Sequence, residues 1–199
     1  MMFNSIFKIV YFIELVLITA VRSAGTARFR REETRDNRSN TLDAILLALN
    51  GVGMLIPIFY VFSAWFDFAD YSLPAWLSWS GVVLFAAAAV FLGMTHRAMG
   101  RSWTPTLGLR EDHELVTDGI FKYIRHPMYA AHLLWALAQP LILTNWIAGF
   151  CFLIPQLLMF WFRVGSEEQM MLEYFGEEYQ DYMSRTGRLI PKLTKGEKD

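Results

Sequence analysis

Five blocks of about twenty mostly apolar residues dominate this sequence. They cover residues 3–21, 42–66, 75–95, 127–144 and 146–164. A helix of about 20 apolar residues has the length that crosses the hydrocarbon core of a bilayer. Only 19% of the residues are charged, whereas soluble domains have roughly 25%. The pattern excludes a disordered chain, a disulfide scaffold and a small cytosolic enzyme. It predicts an all-α integral membrane bundle of five transmembrane helices, built as a single domain.

The connection between the fourth and fifth apolar blocks is very short. Only Thr144 and Asn145 separate the two apolar runs, which predicts a tight helical hairpin. Residues 86–89, four consecutive alanines, offer a small-residue surface for close packing in the third span. The single cysteine, Cys151, lies within an apolar run, so we expect a packed and unreactive thiol. The first block has no flanking cleavage site and is expected to be a retained helix rather than a signal peptide.

Basic residues are concentrated in three of the segments between and after the spans. Segments 22–41, 96–126 and 163–198 hold 17 of the 18 Lys and Arg residues. The positive-inside rule places these segments in the cytoplasm, which puts the N-terminus outside and the C-terminus inside. Binding of anionic lipid by a basic surface would use the same residues on the same side.

Most of the polar chemistry lies in two short stretches. Residues 111–129 precede the fourth span, and residues 163–179 follow the fifth. Because the fourth and fifth spans form a hairpin, both stretches return to the same membrane face. We therefore expect them to meet and to form a cytoplasm-facing site. After Ser166, apolar residues recur near helical spacing, which predicts a C-terminal amphipathic helix.

Four motifs in these stretches carry a resemblance to a known family. They are Leu115-Val116-Thr117-Asp118-Gly119, Arg125-His126-Pro127-Met128-Tyr129, Glu167-Glu168 and Phe175-Gly176-Glu177-Glu178-Tyr179. In their order and spacing around a helical hairpin, they resemble the isoprenylcysteine carboxyl methyltransferase family, whose wider relatives include the phospholipid N-methyltransferases. The motif-bearing half of the chain covers residues 95–193.

The resemblance implies a membrane enzyme that uses S-adenosyl-L-methionine without a Rossmann domain, and the sequence contains no Gly-x-Gly-x-x-Gly fingerprint after a strand. By position, residues 113–116 would surround the adenine and Phe121 would pack on the cofactor. Residues 126–129 would form the wall around the ribose and the methionine part. The implied cofactor-binding residues are His113, Glu114, Leu115, Val116, Phe121, His126, Pro127, Met128, Tyr129 and Glu167. Arg163 would face the acceptor as the catalytic residue. Animal members tend to have Tyr where this chain has Phe121.

The chemistry of these residue types agrees with those roles. The cofactor carries a sulfonium and an ammonium, so a carboxylate such as Glu167 is a suitable partner. An arginine offers two parallel donors to a carboxylate acceptor. A carboxylate is already nucleophilic at neutral pH, so methyl transfer to it needs alignment and desolvation more than a general base.

Other roles are open for several of these residues. Arg125 and Arg163 also suit anchors at helix ends, and Glu167-Glu168 suits the N-terminus of a following helix. Glu14 lies inside the first span, where an ionisable residue is either functional or paired within the bundle. The histidines have no metal-ligand spacing with Cys or Asp, and no metal is expected.

The sequence thus predicts methyl transfer to a lipophilic acceptor, favouring the carboxylate of a prenylcysteine-like substrate. The cofactor would enter from the cytosol and the acceptor sideways from the bilayer, with membrane lipids but no nucleic acid as partners. Three alternatives remain open at this point. They are a phospholipid amine N-methyltransferase, a sterol-type reductase with a nicotinamide cofactor, and a non-enzymatic membrane protein. The short cytoplasmic loops disfavour the reductase.

Overall fold

Each predicted apolar block is largely helical in the computed structural model, the fifth as two successive helices. The structure describes residues 2–27, 34–38, 40–100, 108–110 and 114–192. The elements in chain order are α1 (Met2–Ala27), β1 (Thr34–Asn37), α2 (Thr41–Phe62), a 3-10 turn (Asp67–Ala69), α3 (Ala75–Met99), β2 (Gly108–Arg110), a second 3-10 turn (Gly119–Lys122), α4 (Pro127–Leu143), α5 (Trp146–Phe150), α6 (Leu153–Phe175) and α7 (Glu177–Arg185).

Among the described residues, three stretches of helix are long and apolar enough to cross a membrane. They are Thr41–Phe62, Ala75–Met99 and Trp146–Phe175, the last of which combines α5 and α6. Helix α4 is apolar but shorter, with 17 residues. Large apolar side chains point outward from these helices, including Trp161 and Val83, which are 80% and 70% exposed. Such surfaces suit contact with lipid, and the chain is an integral membrane protein. The count of five spans stays a prediction.

The core lies where α3 packs against α4 and α1. Phe85 of α3 contacts both Tyr11 of α1 and Trp135 of α4, with ring centroids 5.5 Å apart in each pair. Gly81 allows the close approach of α3 to α4, because a Cβ there would lie 2.7 Å from the Cβ of Leu141. Within the alanine run 86–89, Ala88 is fully buried and Ala89 partly, whereas the first two alanines are exposed. The expected small-residue surface is therefore only partly used.

The predicted tight hairpin between α4 and α5 is confirmed. Thr144 takes the left-handed conformation (φ 47°) and reverses the chain. The Asn145 side chain accepts hydrogen bonds from the backbone N–H groups of residues 147 and 148, which caps α5. The same side chain donates to Asp70, which also accepts from the Tyr60 hydroxyl, both at 2.7 Å. These bonds join the loop before α3 to the hairpin at one end of the bundle.

The opposite end gathers the three basic segments. Strand β1, which follows α1, pairs antiparallel with β2, which follows α3. Arg38 forms an ion pair with Glu173 of α6 at 2.6 Å. Ile124, just before α4, forms a parallel bridge with Gly187 of the C-terminal tail. The segments grouped by their charge therefore share one end of the bundle, as the sequence predicts. The side of the membrane on which this end lies stays a prediction.

Two features differ from the sequence-based expectation. Helix α6 continues to Phe175 and the chain bends only at Gly176 (φ 56°), so the amphipathic tail does not begin as a separate helix at Ser166. No proline interrupts residues 156–175, and Gly165 faces open space, so nothing stops the helix at the charged residues. The second difference is the pair of short strands, which the sequence analysis does not predict. Neither strand is long enough to show an alternation of apolar and polar residues.

Candidate active site

The segment before α4 reaches its position through a glycine and a proline. Gly119 adopts a positive φ of 61° at the start of the second 3-10 turn. Pro127 occupies the beginning of α4, where its missing N–H costs no hydrogen bond and its φ suits a helix. The preceding residue, His126, is buried and extends toward α6. The loop is thus bent back so that its last residues face α6.

Glu168 of α6 binds three cationic or polar side chains, and we call these four residues the Glu168 cluster. Its carboxylate accepts from Arg125 Nε and Nη2 at 3.1 and 3.0 Å and from His126 Nε2 at 3.2 Å. Arg188 of the tail donates to the same carboxylate, at 2.6 Å in its shortest bond. Because Glu168 accepts these bonds, the pKa of Arg188 is raised above its usual value. The role considered for Glu168, charge at the start of a helix, is wrong because the residue lies within α6.

Backbone hydrogen bonds hold the tail against the same loop. The N–H of Arg125 donates to the carbonyl of Gly187 at 2.8 Å, and that of His126 donates to Arg188 at 2.9 Å. The Arg125 guanidinium also donates to the carbonyl of Thr186. In α7, the Tyr182 hydroxyl donates to the carbonyl of Phe121 at 2.7 Å, and burial raises the pKa of Tyr182, which keeps this donor protonated. The tail and the loop therefore form one unit with α6.

The neighbouring carboxylate, Glu167, has a different set of contacts. Its Oε1 accepts from the Tyr129 hydroxyl at 2.8 Å and lies 2.9 Å from Arg163 Nε, one helical turn earlier. Its Oε2 lies 3.7 Å from His126 Nδ1. His126 therefore stands between two consecutive glutamates, with one ring nitrogen facing each. A carboxylate only accepts, so the 3.2 Å contact with Glu168 assigns the proton of His126 to Nε2.

A cavity opens beside Glu167 at this end of the bundle. Every predicted site residue that the structure describes lines it, namely Glu114, Leu115, Val116, Phe121, His126, Pro127, Met128, Tyr129, Arg163 and Glu167. His113 lies outside the described residues. Glu168 does not line the cavity, but it binds Arg125 and His126, which do. The predicted convergence of the two polar stretches is thus observed as a shared cavity.

The cavity also has a wall that the sequence analysis did not assign. It is formed by Arg22 of α1, Leu47 and Asn50 of α2, His96 and Met99 of α3, His132 of α4, and Phe152, Gln156 and Met159 at the start of α6. In the sequence analysis, Arg22 is only one of the basic residues that set the membrane orientation. The sequence offers one signal for a role of these residues: Arg22 directly follows an apolar run, and Asn50 lies within one.

The groups that line the cavity suit a cationic ligand beside an anionic one. Glu167 Oε2 has only a long contact with His126, so it retains the capacity to accept from a cation. Arg163 is buried and uses Nε toward Glu167, while no described residue bonds its two terminal nitrogens. These nitrogens can donate in parallel to a carboxylate. The apolar side chains of Leu115, Val116 and Met128 provide a surface on which a flat ring can pack. The residues present therefore fit a cofactor with an aromatic base and a cationic centre.

Comparison with known proteins gives a consistent family. The family model described as "Isoprenylcysteine carboxyl methyltransferase (ICMT) family" matches residues 79–173. The matched segment contains most of α3, the loop before α4, α4, α5 and most of α6. It therefore includes the first polar stretch in full and the second as far as residue 173. It does not include α1 or α2.

Similar proteins carry names from the same family. The chain is 27% identical over 154 residues to protein-S-isoprenylcysteine O-methyltransferase B of Arabidopsis thaliana, which covers 76% of this chain and 78% of that protein. It is 36% identical over 83 residues to the Schizosaccharomyces pombe protein-S-isoprenylcysteine O-methyltransferase, covering 42% of this chain and only 35% of that protein. Similarity to the yeast protein is therefore confined to a part of it.

A solved structure supports the fold. The eukaryotic intramembrane Ras methyltransferase ICMT superposes with a TM-score of 0.54 at 24% sequence identity. The match covers 78% of this chain and 55% of that chain. At this identity the likeness bears on the fold, and it extends beyond the segment matched by the family model.

Proposed function

Because this chain belongs to the isoprenylcysteine carboxyl methyltransferase family, we propose that it is an S-adenosyl-L-methionine-dependent membrane methyltransferase. Its acceptor is the carboxylate of a prenylcysteine-like molecule. The observation that carries the proposal is that Glu167, Arg163 and residues of the segment 114–129 line the same cavity. The catalytic function lies in residues 95–193, and the N-terminal helices complete the cavity wall.

The chemistry that S-adenosyl-L-methionine would supply here is an electrophilic methyl group on its sulfonium: a carboxylate oxygen of the acceptor would form the new C–O bond as the methyl–sulfur bond breaks, giving a methyl ester and S-adenosylhomocysteine. The chain's own residues position the two reactants. Glu167, which contacts Tyr129 and Arg163, would hold the cationic part of the cofactor through its negative charge. The terminal nitrogens of Arg163 hold the acceptor carboxylate in line. The apolar lining excludes water, which strengthens these interactions and leaves the carboxylate poorly solvated and reactive.

The arrangement of the bundle suits one soluble and one lipophilic reactant. The cavity lies at the end that carries the basic segments, which we place in the cytoplasm with the N-terminus outside. The cofactor enters from that side. The acceptor's prenyl chain enters between the helices from the bilayer, where exposed apolar side chains such as Trp161 are already adapted to hydrocarbon.

Two measurements test this function. Calorimetric titration of the solubilised protein with S-adenosylhomocysteine should show binding, and titration with NADPH should show none. Methyl transfer should be seen with a prenylcysteine analogue and not with phosphatidylethanolamine. Failure to bind S-adenosylhomocysteine would overturn the proposal, and methylation of phosphatidylethanolamine alone would replace the carboxylate acceptor with an amine.

A further inference from the structure

Arg22 brings a third guanidinium to the cavity, beside those of Arg125 and Arg163, from a helix outside the segment that matches the family model. Its Nη1 lies 3.3 Å from His132 Nε2 and 4.0 Å from the sulfur of Met54. Neither partner is acidic, and within the described part of the chain no carboxylate pairs with Arg22. The other two arginines that line this cavity are paired, Arg125 with Glu168 and Arg163 with Glu167. Arg22 therefore carries a positive charge that the described protein groups do not neutralise.

The tautomer of His132 explains how Arg22 is held. His132 Nδ1 lies 2.8 Å from the carbonyl oxygen of Met128, which can only accept, so this nitrogen carries the proton. The lone pair of Nε2 then faces Arg22 and accepts from it. The contact orients the guanidinium without cancelling its charge. A guanidinium has five N–H donors, so several remain for a ligand.

Asn50 supplies an independent sign of a ligand in the same cavity. Its Nδ2 donates to the carbonyls of Leu46 and Pro155 at 2.9 and 3.3 Å, which settles the orientation of the amide. The side-chain Oδ1 is buried and accepts no hydrogen bond from the protein. Asn50 is only 9% exposed and lines the cavity with Arg22. A buried acceptor without a donor is rare in proteins and points to a donor on a ligand.

We propose that Arg22, oriented by His132, binds the carboxylate of an amino-acid group in the cavity, and that Asn50 accepts from the nitrogen beside that carboxylate. The inference rests on the proposed function, because the reaction brings two such groups to the site. One is the methionine portion of the cofactor, and the other is the cysteine of the acceptor. Each combines a carboxylate with a neighbouring N–H donor. Arg125 is already engaged by Glu168, so Arg22 and Arg163 give one guanidinium for each ligand carboxylate.

The test compares ligands that differ in the amino-acid group. Arg22→Met and Arg22→Gln remove the charge, and either variant alone is sufficient if the other does not fold. S-adenosylhomocysteine carries the amino-acid group, whereas 5′-methylthioadenosine lacks it. The Kd of each is measured by calorimetry, and the KM of a prenylcysteine analogue is measured in the methyl-transfer assay. Arg97→Met is the matched control, since Arg97 is exposed, at the same end of the bundle and outside the cavity lining.

If Arg22 binds the cofactor carboxylate, the neutral variants should raise the Kd of S-adenosylhomocysteine at least tenfold and leave that of 5′-methylthioadenosine within twofold. If it binds the acceptor carboxylate, they should raise the acceptor KM at least tenfold with both Kd values unchanged. The inference is overturned if all three constants stay within twofold of wild type, or if both nucleosides weaken equally. A wild-type protein that neither binds S-adenosylhomocysteine nor transfers methyl groups would instead overturn the proposed function.

Discussion

Glu168→Gln should destabilise the protein, although glutamine has nearly the shape of glutamate. The substitution removes the negative charge that faces Arg125, His126 and Arg188. The amide that replaces it can still accept at one position, but it offers N–H donors where the carboxylate accepts from Arg188. The charges left behind differ in their access to water, and this difference sets the size of the effect.

The cost falls mainly on Arg125. The side chain of Arg188 is 54% exposed, so its guanidinium can return to water. The side chain of Arg125 is only 7% exposed and would remain as a buried cation without a counter-charge. Removing one partner of a buried ion pair costs about 3–5 kcal/mol. Arg125 keeps its bonds to the carbonyls of Met183 and Thr186, so we expect the lower end of this range.

A loss of about 3 kcal/mol lowers the unfolding midpoint of a chain of this size by about 6–12 °C. The chain offers a built-in reporter, because Cys151 is its single cysteine and is partly buried. A thiol-reactive fluorophore added during heating will label it as the protein unfolds. Glu173→Gln is the control on the same helix, since that residue pairs with Arg38 at an exposed position and should not move the midpoint. Equal midpoints for the Glu168 and Glu173 variants would refute the assignment of a buried charge cluster.

Four further predictions concern other parts of the molecule. Glu167→Gln should weaken S-adenosylhomocysteine binding by about 1–3 kcal/mol, the cost of a lost charged hydrogen bond, and unchanged affinity by calorimetry would contradict its role. Gly53→Ala should lower the free energy of unfolding by about 1–3 kcal/mol, because the new Cβ would lie 2.6 Å from the carbonyl oxygen of residue 151. In the control Gly51→Ala, the new Cβ would meet nothing within 4 Å, so its unfolding midpoint should be no lower than that of wild type. A tag after residue 199 should survive protease added outside intact cells, and its cleavage would reverse the topology. Arg163→Lys keeps a positive charge beside Glu167 but loses the planar pair of donors, so it should lower turnover of a prenylcysteine analogue with nearly unchanged cofactor affinity. Full activity of Arg163→Met would exclude the acceptor-binding role of Arg163.

The helices and the hairpin were predictable because their signals are local. Apolar length identified each helical block, and the two-residue joint at Thr144 and Asn145 left no room for anything but a sharp reversal. Pro127 likewise indicated the start of α4 within the sequence itself. Once the hairpin is assigned, the meeting of the loop before α4 with α6 follows from topology. This is why the cavity contains the predicted residues that the structure describes.

The remaining features depend on contacts between residues far apart in the chain. Nothing near Arg22 indicates that His132, 110 residues later, will orient it. The pairing of Gly187 with Ile124 is equally non-local, and so is that of β1 with β2. The end of α6 was misjudged for a different reason. A run of charges suggests the end of a membrane span, but a charged helix can continue beyond the membrane when its carboxylates find partners, as Glu168 does.

The two consecutive glutamates show why a motif does not by itself assign roles. In an α-helix, neighbouring residues point about 100° apart, so Glu167 and Glu168 face largely different groups and share only His126. Glu167 lines the cavity with Tyr129 and Arg163, whereas Glu168 joins the tail to the loop. His126 contacts both carboxylates, so displacing the tail would move a residue of the cavity wall. Loss of Glu168 should therefore lower stability first and affinity second, whereas loss of Glu167 should lower affinity directly and also lower the unfolding midpoint, because it leaves the buried guanidinium of Arg163 without its carboxylate.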